Sequence, residues 1–160
     1  MSVIGKIVNF IYGTNRVVLK FKEANPDEKV IAANGVKAIK SEPKTEVDTG
    51  AHWIVSKRAV AILTDKRIKC GNWSIPLKEI TSSELVNLNG LISKGQLLNV
   101  STANNEGYQF GMQLNKDWTK SEDLKLTYID KEIKTSTFSW LIRIGLIVYL
   151  GYQVYEKFIK

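Results

Sequence analysis

Residues 62–80 read ILTDKRIKCGNWSIPLKEI. Ile62 and Leu63 belong to an apolar run, AVAILT at 59–64, that suits a buried strand. Asp65 and Lys66 supply a polar turn, and Arg67, Ile68, Lys69 and Cys70 return the chain as a second strand. Gly71-Asn72 turns it again, and residues 73–77 continue as a third strand through Pro76. Proline has no N–H to give to a ladder, so it belongs at a strand end or on an edge. Turns this close together leave no room for a helix.

The same rhythm extends outwards. Upstream, HWIVS at 52–56 and KVIAANGVKAI at 29–39 read as strands, the second with a break at Gly35. Between them SEPKTEVDTG at 41–50 reads as a long polar loop. Downstream, ITSSELVNL at 80–88 is a strand, and QLLNVST at 96–102 pairs with YQFGMQL at 108–114 across a turn at 103–107. After Asp117, a plausible N-cap, the period changes. Leu126, Ile129 and Ile133 fall on one helical face within SEDLKLTYIDKEIK, 121–134, which predicts an amphipathic helix. The fold class expected is mainly β with α. It is an antiparallel barrel of about seven strands, capped by a C-terminal helix, with further helices at the chain ends.

The ends divide from this middle. Residues 1–22 form an N-terminal amphipathic segment in which Val3, Ile4, Ile7, Val8 and Ile11 recur at helical spacing. Packing on the domain is the preferred reading, and an in-plane helix on a membrane is the alternative. Residues 23–134 are the domain. Residues 135–160 hold an apolar run, FSWLIRIGLIVYLGYQVY at 138–155, in which Arg143 is the one charge. A spanning helix needs about 20 apolar residues, so this run sits at the short limit of a tail anchor. Trp140, Leu141, Ile144, Leu146, Ile147, Val148 and Leu150 would meet lipid. Lys125, Lys131 and Lys134 before the run, against Lys157 and Lys160 after it, keep the domain on the cytoplasmic side. The same run could instead pack on the domain or on a second copy of the chain.

Composition narrows the chemistry. The 160 residues are 44% hydrophobic and 24% charged, enough for one domain with a core. A single Cys and a single His exclude an internal disulfide and a Cys/His zinc site. The formal net charge is +7, and the surplus is concentrated before residue 40. No helix-turn-helix, zinc finger or RNP-type pattern accompanies it, so nucleic acid is not the expected partner. Lys57 and Arg58 with Lys66, Arg67 and Lys69 would form one patch for anionic lipid or a protein partner if their strands are neighbours. An ordinary charged hairpin is the competing reading.

The run LTDKRI at 63–68 followed by IPLKEI at 75–80 resembles the strand–turn–strand and entry step of bacterial PH-like and GRAM-type domains. The likeness covers roughly residues 24–134. It implies a small barrel with a closing helix, and a membrane segment beside the domain as in membrane-targeted members. Phosphoinositide-binding PH domains carry a Lys and a basic-x-Arg triplet around their first hairpin. This chain offers Lys37, Lys40 and Lys44 without that triplet, which implies charge-driven rather than headgroup-specific attraction.

His52 and Cys70 are the only residues for a Cys–His pair, and no motif joins them. No phosphate loop, metal helix or carboxylate pair is present, so neither enzyme activity nor a cofactor is expected. The expected function is a non-enzymatic, membrane-associated module at the cytoplasmic face, a platform for lipid headgroups or a protein. The alternative is a soluble assembly protein whose apolar terminal helices make a homo-oligomer.

Overall fold

Residues 62–80 carry the end of an eight-residue strand, two four-residue strands and a 3-10 turn leading into the next strand, and their spacing shapes the rest of the molecule. The computed structural model describes residues 3–41, 57–89, 94–132 and residue 149. Two helices, α1 (Val3–Ile11) and α2 (Thr14–Ala24), precede the strands. The strands are β1 (Val30–Ser41), β2 (Lys57–Thr64), β3 (Arg67–Cys70), β4 (Trp73–Pro76), β5 (Ile80–Asn89), β6 (Lys94–Thr102), β7 (Gly107–Gln113) and β8 (Leu126–Glu132). They form one sheet in the order β4-β3-β2-β1-β7-β6-β5-β8. β8 lies parallel to β5, and the other neighbours are antiparallel.

The expected barrel capped by a helix is therefore corrected to an open mixed sheet of eight strands. The two edges, β4 and β8, do not pair with each other. Nor is there a closing helix over 121–134. Residues 121–125 bend without regular structure, and Leu126–Glu132 is strand β8. The spacing of Leu126 and Ile129 suits a helix face, whereas in a strand it puts the two on opposite faces, and Leu126 indeed packs on the core while Ile129 is 39% exposed. Thr127, Tyr128 and Ile129 are strand formers, and β5 offers an unpaired flank from Ser83 to Asn89 that a helix would leave unsatisfied. The transmembrane tail anchor is corrected too. Among the described residues no helix is long and apolar enough to cross a membrane. Apart from Tyr149, residues 138–155, with Trp140, Leu141, Ile144, Leu146, Ile147, Val148 and Leu150, lie outside the described residues. So do the loop expected at 42–50 and the strand expected at 52–56.

The sheet must curl. β4 and β5 are separated by six inter-strand spacings, roughly 29 Å if the sheet were flat. Yet they are joined through the single 3-10 turn Leu77–Glu79, which reaches at most about 15 Å. The curl brings the inner faces of β1 to β7 around one core, with Ile68, Leu85, Leu98 and Phe110 fully enclosed. A second 3-10 turn, Lys116–Lys120, and the bend after it drive Trp118 and Leu124 into that core as a plug.

Trp118 is 0% exposed, and its indole N–H needs an acceptor inside the core. Asn34 Oδ1 accepts it at 3.0 Å and accepts Asn115 Nδ2 at 2.7 Å. The chain of amides continues. Asn115 N donates to Gln96 Oε1 at 2.9 Å, Gln96 Nε2 to Asn87 Oδ1 at 3.1 Å, and Asn87 Nδ2 to Asp130 Oδ1 at 2.8 Å. Five polar side chains thus tie β1, β5, β6, β8 and the plug together. Asn34→Leu leaves the Trp118 and Asn115 donors without an acceptor, at about 1–3 kcal/mol for each. The urea midpoint of the variant is expected to fall accordingly, and an unchanged midpoint would show that the plug holds without Asn34.

Candidate functional site

Strand alternation divides the sheet into two faces. In β2, Ala61 and Leu63 enter the main core, while Val60 and Ile62 point outwards against Phe21 of α2. The outer face is thus the one that carries the helices. α1 turns Gly5, Val8, Asn9 and Tyr12 towards the sheet. Asn9 Oδ1 accepts the Gly35 N–H at 2.9 Å, and the Tyr12 ring lies over Gly35. A Cβ on Gly35 would stand 2.6 Å from Tyr12 Cγ. That glycine is the seat of the helical hairpin rather than a strand break. Gly13, at φ 61°, takes the left-handed conformation between the two helices.

The opposite side of α1 is apolar and open to solvent. Ile7 is 54% exposed, Phe10 86% and Ile11 72%. On α2, Val17 and Leu19 are exposed as well. The larger part of the apolar surface of α1 is therefore left outside: Gly5, Val8 and Asn9 face the protein, with Tyr12 just past the helix end, while Ile7, Phe10 and Ile11 face outwards. Exposed cations flank this ridge: Lys6 on α1, and Arg16, Lys20 and Lys22 on α2.

The basic residues singled out from the sequence are placed by the same alternation. Lys57 and Arg58 begin β2, and Lys66 and Arg67 follow its far end, roughly 24 Å away along the strand. Arg58 lies on the outer face directly across from Lys37 of β1, two like charges opposed on the helix-bearing side. Lys69 is on that face too, across from Ile62. Lys57 is in line with Ala59 and Ala61 at the rim of the inner face. Arg67 is engaged in the fold. Its guanidinium meets Glu28 at 2.7 Å, donates to Asn25 Oδ1 at 2.8 Å and to Ser74 Oγ at 3.1 Å, and stacks over Phe21. It pins the end of α2 to the β3–β4 hairpin. Arg58 and Lys69, with Lys37, share the helix-bearing face. Lys57 belongs to the rim and Lys66 to the opposite turn.

At the rim, Lys57 and Arg58 border a small cavity of about 190 Å³ with Gly71, Asn72 and Trp73. Cys70 lines its base, and burial pushes its thiol up to about 11, so at neutral pH it is not a thiolate nucleophile. His52 lies outside the described residues. Among the described residues no group of three His, Cys, Asp or Glu is gathered to hold a metal. Nearby, Lys40 pairs with Glu106 at 2.6 Å, and Tyr108 donates its hydroxyl to the same carboxylate. The hydrogen bond from Lys40, with that from Tyr108, holds the Glu106 carboxyl below its usual range. The bond to Glu106 raises Lys40 in turn.

A larger groove, about 800 Å³, opens where the sheet edges fail to meet. Ser74 and Pro76 of β4 stand on one side, Thr81 and Ser82 of β5 on the other, with Lys66, Lys78 and Lys125 around the mouth. The sequence did not group Lys78 and Lys125 with Lys66, because their neighbourhood exists only after the sheet curls. Phe10 was legible in principle, three residues after Ile7 on the same helix.

A scan against models of protein families finds no match to this chain, and a search of curated proteins finds none either.

Two outcomes follow from this geometry. Gly35→Val forces the Tyr12 ring off its seat. The helical hairpin is expected to become more open to limited proteolysis than in the unaltered protein, and equal cleavage rates would count against the seat. Glu106 has a depressed folded pKa, so its stabilising pair is present above the unfolded value of about 4.3 and is lost as pH falls through the folded one. Lys40 has a raised pKa, so its share is present below about 10.4 and is lost as pH rises through the folded value. The urea midpoint of Glu106→Gln is expected to lie below that of the unaltered protein near neutral pH and to converge with it as pH falls below the unfolded value and through the folded one. A constant gap across pH would exclude the ion pair as its cause.

Proposed function

We propose that the protein is a non-enzymatic, membrane-associated module that lays its N-terminal helical hairpin in the interface of an anionic membrane and presents the sheet as a platform. One observation carries this reading. The outward face of α1 is Ile7, Phe10 and Ile11, exposed beside Lys6, Arg16 and Lys20. An apolar strip edged by cations suits the boundary between acyl chains and acidic headgroups. Each Lys or Arg near such a surface contributes about 1 kcal/mol. The opposed pair Lys37 and Arg58, with Lys69, lies on the same side of the sheet and adds to the attraction. This is attachment along a surface and needs no spanning segment. The resemblance to PH-like and GRAM-type domains is compatible with such a role, through the strand–turn–strand at 63–68 and the step at 75–80.

Sedimentation with vesicles tests it. The full chain is expected to pellet with vesicles of phosphatidylcholine and phosphatidylglycerol, and far less with phosphatidylcholine alone. Removing an inserted aromatic side chain forfeits about 1.5–3 kcal/mol. Phe10→Asp is therefore expected to weaken binding about tenfold or more, and Arg16→Glu with Lys20→Glu to remove most of its salt dependence. Binding that is indifferent to Phe10→Asp would overturn the reading. A chain that ignores vesicles, but falls from oligomer to monomer when Phe10 is replaced, would be the assembly protein instead.

A further inference from the structure

We propose that the groove at the open seam of the sheet is a docking slot for an extended polypeptide segment bearing acidic side chains. The slot is separate from the helical hairpin. It owes its existence to an interrupted pairing. On its β6 side, β5 is paired from Ile80 onwards. On its β8 side, pairing begins only at Ser83, opposite Leu126. Among the described residues, the stretch Ile80–Ser82 therefore has a flank with no strand beside it, in line with β8. The chain that could have filled this position bends away over residues 121–125, held by the hydrogen bond from Ser83 Oγ to the Lys125 carbonyl at 2.8 Å.

The facing wall is β4, the other sheet edge. Pro76 removes one donor from that edge, which leaves β5 as the better template. A flank of unpaired backbone groups is met most fully by another extended chain, whose N–H and C=O groups alternate in the same way. A compact anion would satisfy the lysines and leave the backbone unmet.

The charges choose the kind of chain. Lys66, Lys78 and Lys125 ring the mouth, and none of the three is in an ion pair with another described residue. Arg67, at the floor, is already balanced by Glu28. Asp65 and Asp123 also border the groove, and Asp65 accepts the Lys29 N–H at 3.0 Å. These acids divide the positive potential into separate spots rather than one dense centre. Alternate acidic side chains along a strand match spaced lysines better than a single phosphate does. The hydroxyls of Ser74 and Ser82 line the slot between them and add hydrogen-bonding groups along its length.

The test uses the full chain labelled with nitrogen-15 and a blocked ten-residue peptide of alternating glutamate and valine. Saturable shifts are expected at the amides of Ile80, Thr81, Ser82, Ser83 and Ser74, and not along α1. Lys66→Glu, Lys78→Glu and Lys125→Glu together are expected to weaken binding at least tenfold, with the amide spectrum elsewhere unchanged. Lys78→Gln alone supplies a milder variant should the triple one unfold. Methylating alternate peptide nitrogens of the probe, on whichever edge faces β5, is expected to cost tenfold. Absence of saturable shifts at these amides overturns the proposal, and so does equal affinity for both methylated forms and the parent peptide. If inorganic phosphate or phosphatidylglycerol vesicles shift the same amides and displace the peptide, the groove is an anion or headgroup site and the proposal fails. Phe10→Asp is expected to leave peptide binding unchanged, which separates this slot from the membrane surface.

Discussion

The short link between β4 and β5 governs this fold. Two strands that lie far apart in the order of the sheet are tied through one turn, Leu77–Glu79, so the sheet has to roll up. Once rolled, its inner face becomes a shared core, and Leu77 itself is buried in it. The turn is held at both ends. Leu77 N donates to the Lys66 carbonyl at 2.9 Å, and the Glu79 carbonyl accepts Ala103 N at 2.9 Å. Rolling without closing has a second consequence, the seam between β4 and the start of β5. A closed barrel would have no such place, because closure removes every edge.

Inside the roll, polar groups do much of the specifying. Apolar packing alone tolerates slippage of one strand past another, whereas a chain of amides accepts few arrangements. Asn34, Asn87, Gln96 and Asn115 connect strands that are far apart in sequence, and Trp118 is locked to them through its indole nitrogen. The parallel strand β8 joins the same network through Asp130. Asn99 contrasts with them. It is buried, and among the described residues neither its side-chain oxygen nor its nitrogen has a hydrogen-bond partner.

The helical hairpin follows another logic. Its attachment joins a small footprint, Gly35 beneath Tyr12 and Asn9 on the Gly35 N–H, to Phe21 packed on Val60 and Ile62, with Arg67 holding the far end of α2. The apolar side chains of Ile7, Phe10 and Ile11 on α1 are nevertheless turned away from the protein. An arrangement that exposes Phe10 while burying Gly5 carries a hydration cost in water, and that cost is relieved on meeting an apolar surface. The function proposed here grows from that mismatch, and the seam adds a second surface that faces a different kind of partner.

Much of the local structure was legible in the residues themselves. The turns at Asp65-Lys66 and Gly71-Asn72, the stop at Pro76 and the hairpin around 103–107 are backbone preferences acting over a few residues, so the sequence by itself determined them. It also determined the helical periodicity near the N-terminus. Tertiary structure decided the remainder. The spacing of Leu126, Ile129 and Ile133 favours a helix, and the vacant flank of β5 overrode it in favour of the strand. Gly35 resembles a break until a tyrosine ring is found above it. The face that α1 shows to solvent, and the meeting of Lys66, Lys78 and Lys125 around one groove, depend on residues distant in the chain. Local patterns record what a segment prefers. Which face is buried, and which charges become neighbours, is set by the curl of the whole sheet.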